Sequence, residues 1–320
     1  MISLFCDKLL YSPLEFPSFI NKLKNKHKIR VIKNINQANI ILSSYLNILK
    51  KYESKFGKTK KYLLWTHEPY HNYSLKSKIG LIEIMNCYTQ DVFTHNFRYF
   101  YFKSPLPINL NNSYQRLGDC VVLSTFYDFK YYEKNPKTIL PIRYQLIESG
   151  YKKGFLKVHG KNWNNHSFIE SEGNSRNQGD RRKSKAEILG KYRFNLCIEN
   201  ALAPYYVTEK IWEPIKYGCL PIYFSNSTIY EIFPRDSFVD VRNYYDDQNE
   251  VLNCDQLWND INQMSEQEYQ ERLNKCMETF NGVIVNGKNT TWRGRSNNLN
   301  INYLEYQSCF KELVKRIKKI

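Results

Sequence analysis

Four residues in one stretch of the chain combine groups that bind sugars with groups that bind phosphates. Glu199 and Asn200 close the run Arg-Phe-Asn-Leu-Cys-Ile-Glu-Asn, and Glu209 and Lys210 follow Tyr-Val-Thr a short loop later. A carboxylate accepts hydrogen bonds from hydroxyl groups, and an ammonium beside free backbone N–H groups attracts an anion. Lys210 in the first turn of a helix sits unfavourably at the positive end of the dipole, a penalty that a bound anion would offset. Glu209 would then be free to accept hydrogen bonds from a sugar hydroxyl. A solvated Glu–Lys pair on an ordinary surface helix has the same spacing, so spacing alone leaves both readings open.

The elements that must position these residues are also legible. The run ending at Asn200 is apolar, with aromatic and β-branched residues, and fits a buried strand. Thr208 can cap a helix that runs to Tyr217, with Gly218 as its stop. A second buried strand, Leu220 to Phe224, follows at once. Strand, loop, helix and strand form the building block of a parallel α/β sheet, whose ligands bind outside the carboxyl ends of the strands. Further strands are expected at Ile2 to Cys6, Ala38 to Ser44, Tyr62 to Trp65 and Asp91 to Thr94. A second series runs through Cys120-Val-Val-Leu-Ser, Gly154 to Gly160 and Phe238-Val-Asp-Val. Pro105 to Ser113, with two prolines and several asparagines, reads as a linker between them. The expected organisation is two Rossmann-like halves, residues 1–112 and 116–300. Asn164 to Lys185 has almost no apolar content and reads as a loop. Leu304, Phe310, Leu313, Val314, Ile317 and Ile320 fall at helical spacing. A helix over about 303–320 should therefore pack back on the first half, with docking on an anionic membrane as the other reading.

Phe194-Asn-Leu-Cys-Ile-Glu-Asn200 followed by Tyr206-Val-Thr-Glu-Lys210 resembles the donor-binding signature of the α-1,3-fucosyltransferases, glycosyltransferase family ten. The likeness continues through Lys216-Tyr-Gly-Cys-Leu-Pro-Ile-Tyr223 and fades into Phe238-Val239. There are departures. The Gly-Ser-Pro-Ser-like turn of the family reads Ser225-Asn-Ser-Thr228 here, and Pro214 lies inside the helix, where it removes a backbone bond and should kink it. The resemblance implies an α/β fold of the GT-B type, two Rossmann-like domains facing a central cleft. It implies inverting transfer of L-fucose from GDP-fucose to a hydroxyl of an acceptor glycan, forming an α-1,3 linkage. The alternatives are a GT-B enzyme using another nucleotide sugar, and a non-catalytic carbohydrate-binding protein on the same scaffold.

Inverting transfer needs a base for the acceptor hydroxyl and cations for the departing diphosphate. The resemblance gives the second task to Lys210 and to Arg143, which stands in Pro141-Ile-Arg-Tyr-Gln-Leu-Ile between the first two strands of the second half. A guanidinium fork suits two phosphate oxygens at once. Glu209 is expected on the ribose, with Glu199, Asn200 and Tyr206 shaping the donor pocket. The base is expected at Glu68 in Trp65-Thr-His-Glu-Pro-Tyr-His71. It follows an apolar strand, Pro69 fixes its backbone, and aromatic neighbours would desolvate it and raise its pKa. His67 and His71 are the rivals for the base, and with Glu68 they could also be read as a metal site. The segment reads as strand and turn, which argues against chelation. No Asp-x-Asp triplet occurs, so basic side chains and a helix N-terminus are expected to meet the diphosphate. No cofactor and no obligatory divalent metal are expected.

Composition narrows the classes further. With 320 residues, 42% hydrophobic and 15% aromatic, the chain has ample material for two packed domains. No apolar run approaches the roughly 20 residues of a membrane span. The start, Met-Ile-Ser-Leu-Phe-Cys-Asp-Lys, has no basic leader. Eight cysteines without a Cys-x-x-Cys pair read as reduced core residues. A cytoplasmic location follows as the expectation, with membrane contact confined to the basic C-terminal helix. The net charge of +16 is scattered over Lys22 to Lys33, Lys50 to Lys61, Arg181 to Lys185 and Lys311 to Lys319, with no nucleic-acid motif beside it. The expected partners are thus a GDP-sugar donor and a glycan acceptor, and not nucleic acid.

Overall fold

Short apolar runs pair into two separate parallel sheets. The computed structural model describes residues 1–10, 12–66, 78–86, 118–127, 138–173, 181–280 and 301–320. They fall into two compact units, one built on Met1–Lys103, Ala203–Tyr206 and Trp292–Ile320, the other on Ser104–Leu202 and Val207–Thr291.

In the first unit, β1 (Ile2–Asp7), β2 (Ile29–Ile32), β3 (Ile40–Ser43), β4 (Lys61–Thr66), β5 (Lys78–Ile79) and β6 (Ile82–Asn86) lie in the order β2-β1-β3-β4-β6-β5. All pairings are parallel except the β5–β6 hairpin. Every residue of β3 is buried, and so is β4 from Tyr62 onward. That pattern belongs to strands covered on both faces. On one face Leu49 of the Leu46–Phe56 helix packs with Ile41, Tyr62, Leu64 and Ile84. On the other, the Pro17–His27 helix brings Phe19 and Leu23 against Leu4, Leu42 and Trp65. The C-terminal helix, Ile301–Lys319, adds Phe310, Leu313, Val314 and Ile317 to this second cluster. Its apolar stripe therefore faces the protein. The Phe310 and Phe19 rings lie 4.9 Å apart.

In the second unit, β7 (Gly118–Leu123), β8 (Leu156–His159), β9 (Tyr192–Leu196), β10 (Leu220–Tyr223) and β11 (Val239–Asp240) form a sheet in the order β11-β10-β9-β7-β8. Every pairing is parallel. The chain leaves β7 through the Leu140–Lys152 helix to reach β8 on one side. It then returns through the Arg181–Leu189 helix to β9 on the other side of β7. The direction of winding thus reverses between β7 and β9. The Glu209–Lys216 helix connects β9 to β10, and the Cys254–Gln263 and Glu266–Phe280 helices complete the cover.

Three parts of the sequence fold differently from the expectation. Arg181 to Lys185, read as part of a loop, is the first half of a helix that runs on through Ala186 to Leu189. β2 and β6 were not foreseen. The expected strand at Asp91 to Thr94 and the linker at 105–113 lie outside the described residues. Among the described residues, no helix is long and apolar enough to cross a membrane.

Candidate active site

The reversal between β7 and β9 is where an open α/β sheet leaves a crevice at the carboxyl ends of its strands. A small cavity of about 50 Å³ lies there. Its walls include Leu123 and Ser124 at the end of β7, Cys197 and Ile198 at the end of β9, and the side chains of Arg143, Lys185, Lys210 and Glu213.

Arg143 is in the Leu140–Lys152 helix, which Pro141 starts well because its ring is already at a helical φ and it has no N–H to satisfy. The helix carries the guanidinium, almost wholly buried, to the strand ends. Nη2 donates to the carbonyl oxygens of Ile198 and Glu199, at 2.6 Å each, and to Oδ1 of Asn200 at 2.8 Å. Nη1 lies 3.5 Å from Ser124 Oγ. One cation thus ties the loop after β9 to the end of β7. Ile139 and Thr138 add hydrogen bonds to the Asn200 carbonyl. The loop after β8 is pinned to the same place. Trp163 Nε1 donates to the Ser124 carbonyl at 2.7 Å. Gly160, at φ +153°, approaches that carbonyl so closely that an added Cβ would lie 1.7 Å from it.

Glu199 has no exposed surface. Its Oε1 accepts from the Thr208 backbone N–H at 2.7 Å and from the Tyr223 hydroxyl at 2.8 Å. Thr208 Oγ1 lies within 2.9 Å of both carboxylate oxygens, and Lys210 Nζ is 3.2 Å from Oε2. A buried carboxylate is tolerated only when its lone pairs are met in this way. Burial first, and the Glu199 charge second, push the Tyr223 phenol well above its usual pKa. Thr208 is also the N-cap of the Glu209–Lys216 helix, its hydroxyl accepting from the Lys210 N–H. Gly218, at φ +73°, lies just beyond the helix end.

Lys210 keeps 24% of its side chain exposed. Burial works to lower its pKa, but the Glu199 and Glu209 carboxylates more than offset this and raise it above the ordinary lysine value. Glu209 is one-third exposed, with Oε1 4.0 Å from Lys210 Nζ. The third cation of the cavity is Lys185, whose ammonium is ion-paired with Glu213 across two helices.

Of the residues read from the sequence, Arg143, Glu199, Asn200, Glu209 and Lys210 therefore lie in one connected group. Glu199 takes part as an internal anchor, meeting protein donors with both oxygens. Tyr206 is buried, but in the segment Ala203–Tyr206 that belongs to the first unit. Glu68, His67 and His71 lie outside the described residues; β4 brings the chain to Thr66. The sequence reading missed Ser124, Lys185, Glu213 and the Tyr223 hydroxyl. A signal existed for Lys185: Ala186-Glu-Ile-Leu189 before Gly190 is a helix with its stop. Among the described residues, no cluster of His, Cys, Asp and Glu could hold a metal ion.

Comparison with known proteins is consistent with this geometry. Residues 156–272 match the model of glycosyltransferase family 10 (fucosyltransferase), C-terminal part. GDP-fucose protein O-fucosyltransferase 3 of Xenopus laevis is 45% identical over 47 residues, 15% of this chain and 10% of that protein. Alpha-(1,3)-fucosyltransferase B of Drosophila melanogaster is 45% identical over 49 residues, 15% of this chain and 11% of that protein. The chain thus matches about a tenth of the length of these curated relatives. A crystal structure of an α1,3-fucosyltransferase superposes with a TM-score of 0.53 at 16% identity, over 98% of this chain and 90% of that one. The structure of an α1,3-fucosyltransferase with GDP-fucose superposes over the same shares with a TM-score of 0.50, also at 16% identity. At such identity the likeness speaks for the fold, which is α/β of the GT-B type. Residues 156–272, which match the glycosyltransferase family 10 (fucosyltransferase) C-terminal model, carry β8 to β11 and both lysines of the cavity.

Proposed function

We propose that the chain is an inverting glycosyltransferase that moves L-fucose from GDP-fucose to a hydroxyl of an acceptor glycan, forming an α-1,3 linkage. The observation that carries this reading is the crevice between β7 and β9, lined by Arg143, Lys185 and Lys210. In the reaction the acceptor oxygen forms a bond to the anomeric carbon as the bond from that carbon to the diphosphate breaks. The base takes the acceptor proton, and GDP leaves with the electron pair. Lys210 and Arg143 stabilise the charge that grows on the diphosphate, where fixed cations are most effective. Glu209, with its carboxylate partly in solvent, accepts from the ribose hydroxyls. Asn200 and Tyr206 shape the rest of the donor pocket. Glu68 is the base, and no metal is needed. The match to family 10 and the names of the relatives support a fucosyl donor.

The test is transfer by purified protein from a set of GDP-sugars to a panel of acceptor glycans, with linkage analysis of the product. Transfer from GDP-fucose alone, giving an α-1,3 product, is the expected result. GDP binding without transfer to any acceptor would favour a carbohydrate-binding protein on this scaffold. Glu68→Gln keeps the shape but cannot take the proton, so transfer should fall on the order of a hundredfold or more while GDP binding holds. Near-normal transfer by this variant, with loss in His67→Ala or His71→Ala, would move the base to a histidine.

A further inference from the structure

The cations that line the cavity differ in what already holds them. Arg143 is committed to the carbonyls of Ile198 and Glu199 and to Asn200 Oδ1, all within 2.8 Å. Lys210 is bound to Thr208 Oγ1 at 3.1 Å and to Glu199, a carboxylate with no access to solvent. Drawing Lys210 away would leave a charge buried with fewer partners, which is strongly unfavourable. Both cations can lend field to an incoming anion, but neither can move far towards it.

Lys185 is different. Its partner is the Glu213 carboxylate, and both side chains keep an edge in solvent, 16% and 19%. If the pair opens, water can take over Glu213, so opening does not strand an enclosed carboxylate as it would at Glu199. The charges also matter. Arg143, Lys185 and Lys210 are matched by Glu199, Glu209 and Glu213, so the resting cavity has no positive excess to offer a polyanion. An excess appears only if one carboxylate turns outward. Glu199 is enclosed, whereas Glu213 lies in the second turn of a short helix with an edge in water.

The geometry points to Lys185 as a third ligand of the donor diphosphate, with Glu213 as a placeholder that occupies the ammonium until the phosphates arrive. This rests on the reading that a nucleoside diphosphate enters the cavity, and it names the side chain that changes partner when one does. On entry, the diphosphate oxygens replace the Glu213 carboxylate on Lys185, and Glu213 rotates into solvent. On departure of GDP the pair closes again. The exchange keeps Lys185 paired in both states and prevents a bare ammonium from binding stray anions between turnovers.

Calorimetric titration with GDP and, separately, with inorganic pyrophosphate tests this, without metal and at two salt concentrations. The proteins are wild type, Lys185→Ala, Lys185→Arg and Glu213→Gln, each checked for a cooperative melt. Lys185→Ala should weaken both ligands about tenfold, the loss of one charge-assisted contact, and should show a shallower salt dependence. Lys185→Arg should bind near wild-type affinity. Glu213→Gln should bind both ligands severalfold more tightly, because nothing then competes for Lys185. A pair that merely braces two helices would alter melting and leave affinity and salt dependence unmoved. Wild-type affinity and salt slope in Lys185→Ala overturn the ligand role. Unchanged or weaker binding in Glu213→Gln overturns the placeholder role, and that arm decides alone if Lys185→Ala does not fold. Wild-type protein that binds neither ligand overturns the diphosphate reading itself, and this inference with it.

Discussion

Tyr223 donates its hydroxyl to Glu199 at 2.8 Å, so the strand after the signature helix is tied through one buried carboxylate to the loop before it. Thr208 and Lys210 complete the set of donors on the same carboxylate. The N-terminus of the Glu209–Lys216 helix is thereby fixed to the end of β9 by side chains rather than by the sheet.

Tyr223→Phe removes one of these donors and leaves the rest, and should lower stability by about 1 kcal/mol. Glu199→Gln is more severe, because an amide N–H₂ then faces the Thr208 N–H and the Lys210 ammonium. A loss of about 3–5 kcal/mol is expected, read from urea unfolding. A Glu199→Gln protein as stable as wild type would show that the carboxylate is not an anchor.

Lys210→Ala should weaken GDP binding more than Lys311→Ala, a substitution of an exposed lysine on the C-terminal helix. Wild-type binding should fall as salt rises, since charge attraction to a partly exposed site is screened. Equal GDP affinity for wild type and Lys210→Ala, measured by calorimetry, would remove the residue from the site.

His159, at the end of β8, supplies a pH dependence. Burial lowers its pKa below the ordinary value, with the Glu172 carboxylate working against that shift and Lys191 adding to it. The unfolded chain takes up this proton more readily than the folded protein. Stability should therefore hold at neutral pH, fall as pH drops through the ordinary histidine value of about 6.5, and level off below the folded-state value. His159→Gln should flatten that limb of melting temperature against pH. An identical profile in the variant would assign the limb to another group.

Phe310→Ala should cost about 3–5 kcal/mol, because it opens a void between the C-terminal helix and Phe19. Denaturant unfolding measures it. Unchanged stability would mean that the helix is not part of the first unit's core, and anionic-vesicle binding would then become the role to examine.

Much of the fold was legible because the inner strands of both sheets are continuous apolar runs: Ile40–Ser43, Leu220–Tyr223 and the middle of β7. β2 was hidden because Arg30 interrupts it and lysines crowd its flanks; it is an edge strand, which needs only one buried side. The Arg181–Leu189 helix was hidden by its polar composition. In the site, Thr208, Glu209 and Lys210 were legible because a cap and a first turn are local features. The link between Lys185 and Glu213 spans 28 positions and depends on how two helices pack, which spacing does not encode. Glu199 was expected at a strand end and lies in the loop just beyond β9. Its enclosure by Tyr223 follows from the neighbouring strand's register and could not be read locally.

The Arg143 clasp on the carbonyls of Ile198 and Glu199 also bears on timing. Because the loop after β9 is already clamped, an arriving anion meets a finished backbone and only side chains have to turn, which takes nanoseconds. Capture should then proceed in a single kinetic phase at a rate set by diffusion and charge attraction, rising as ionic strength falls. Loosening the clasp, as in Arg143→Lys, would introduce a slow step that waits for the loop to find its shape.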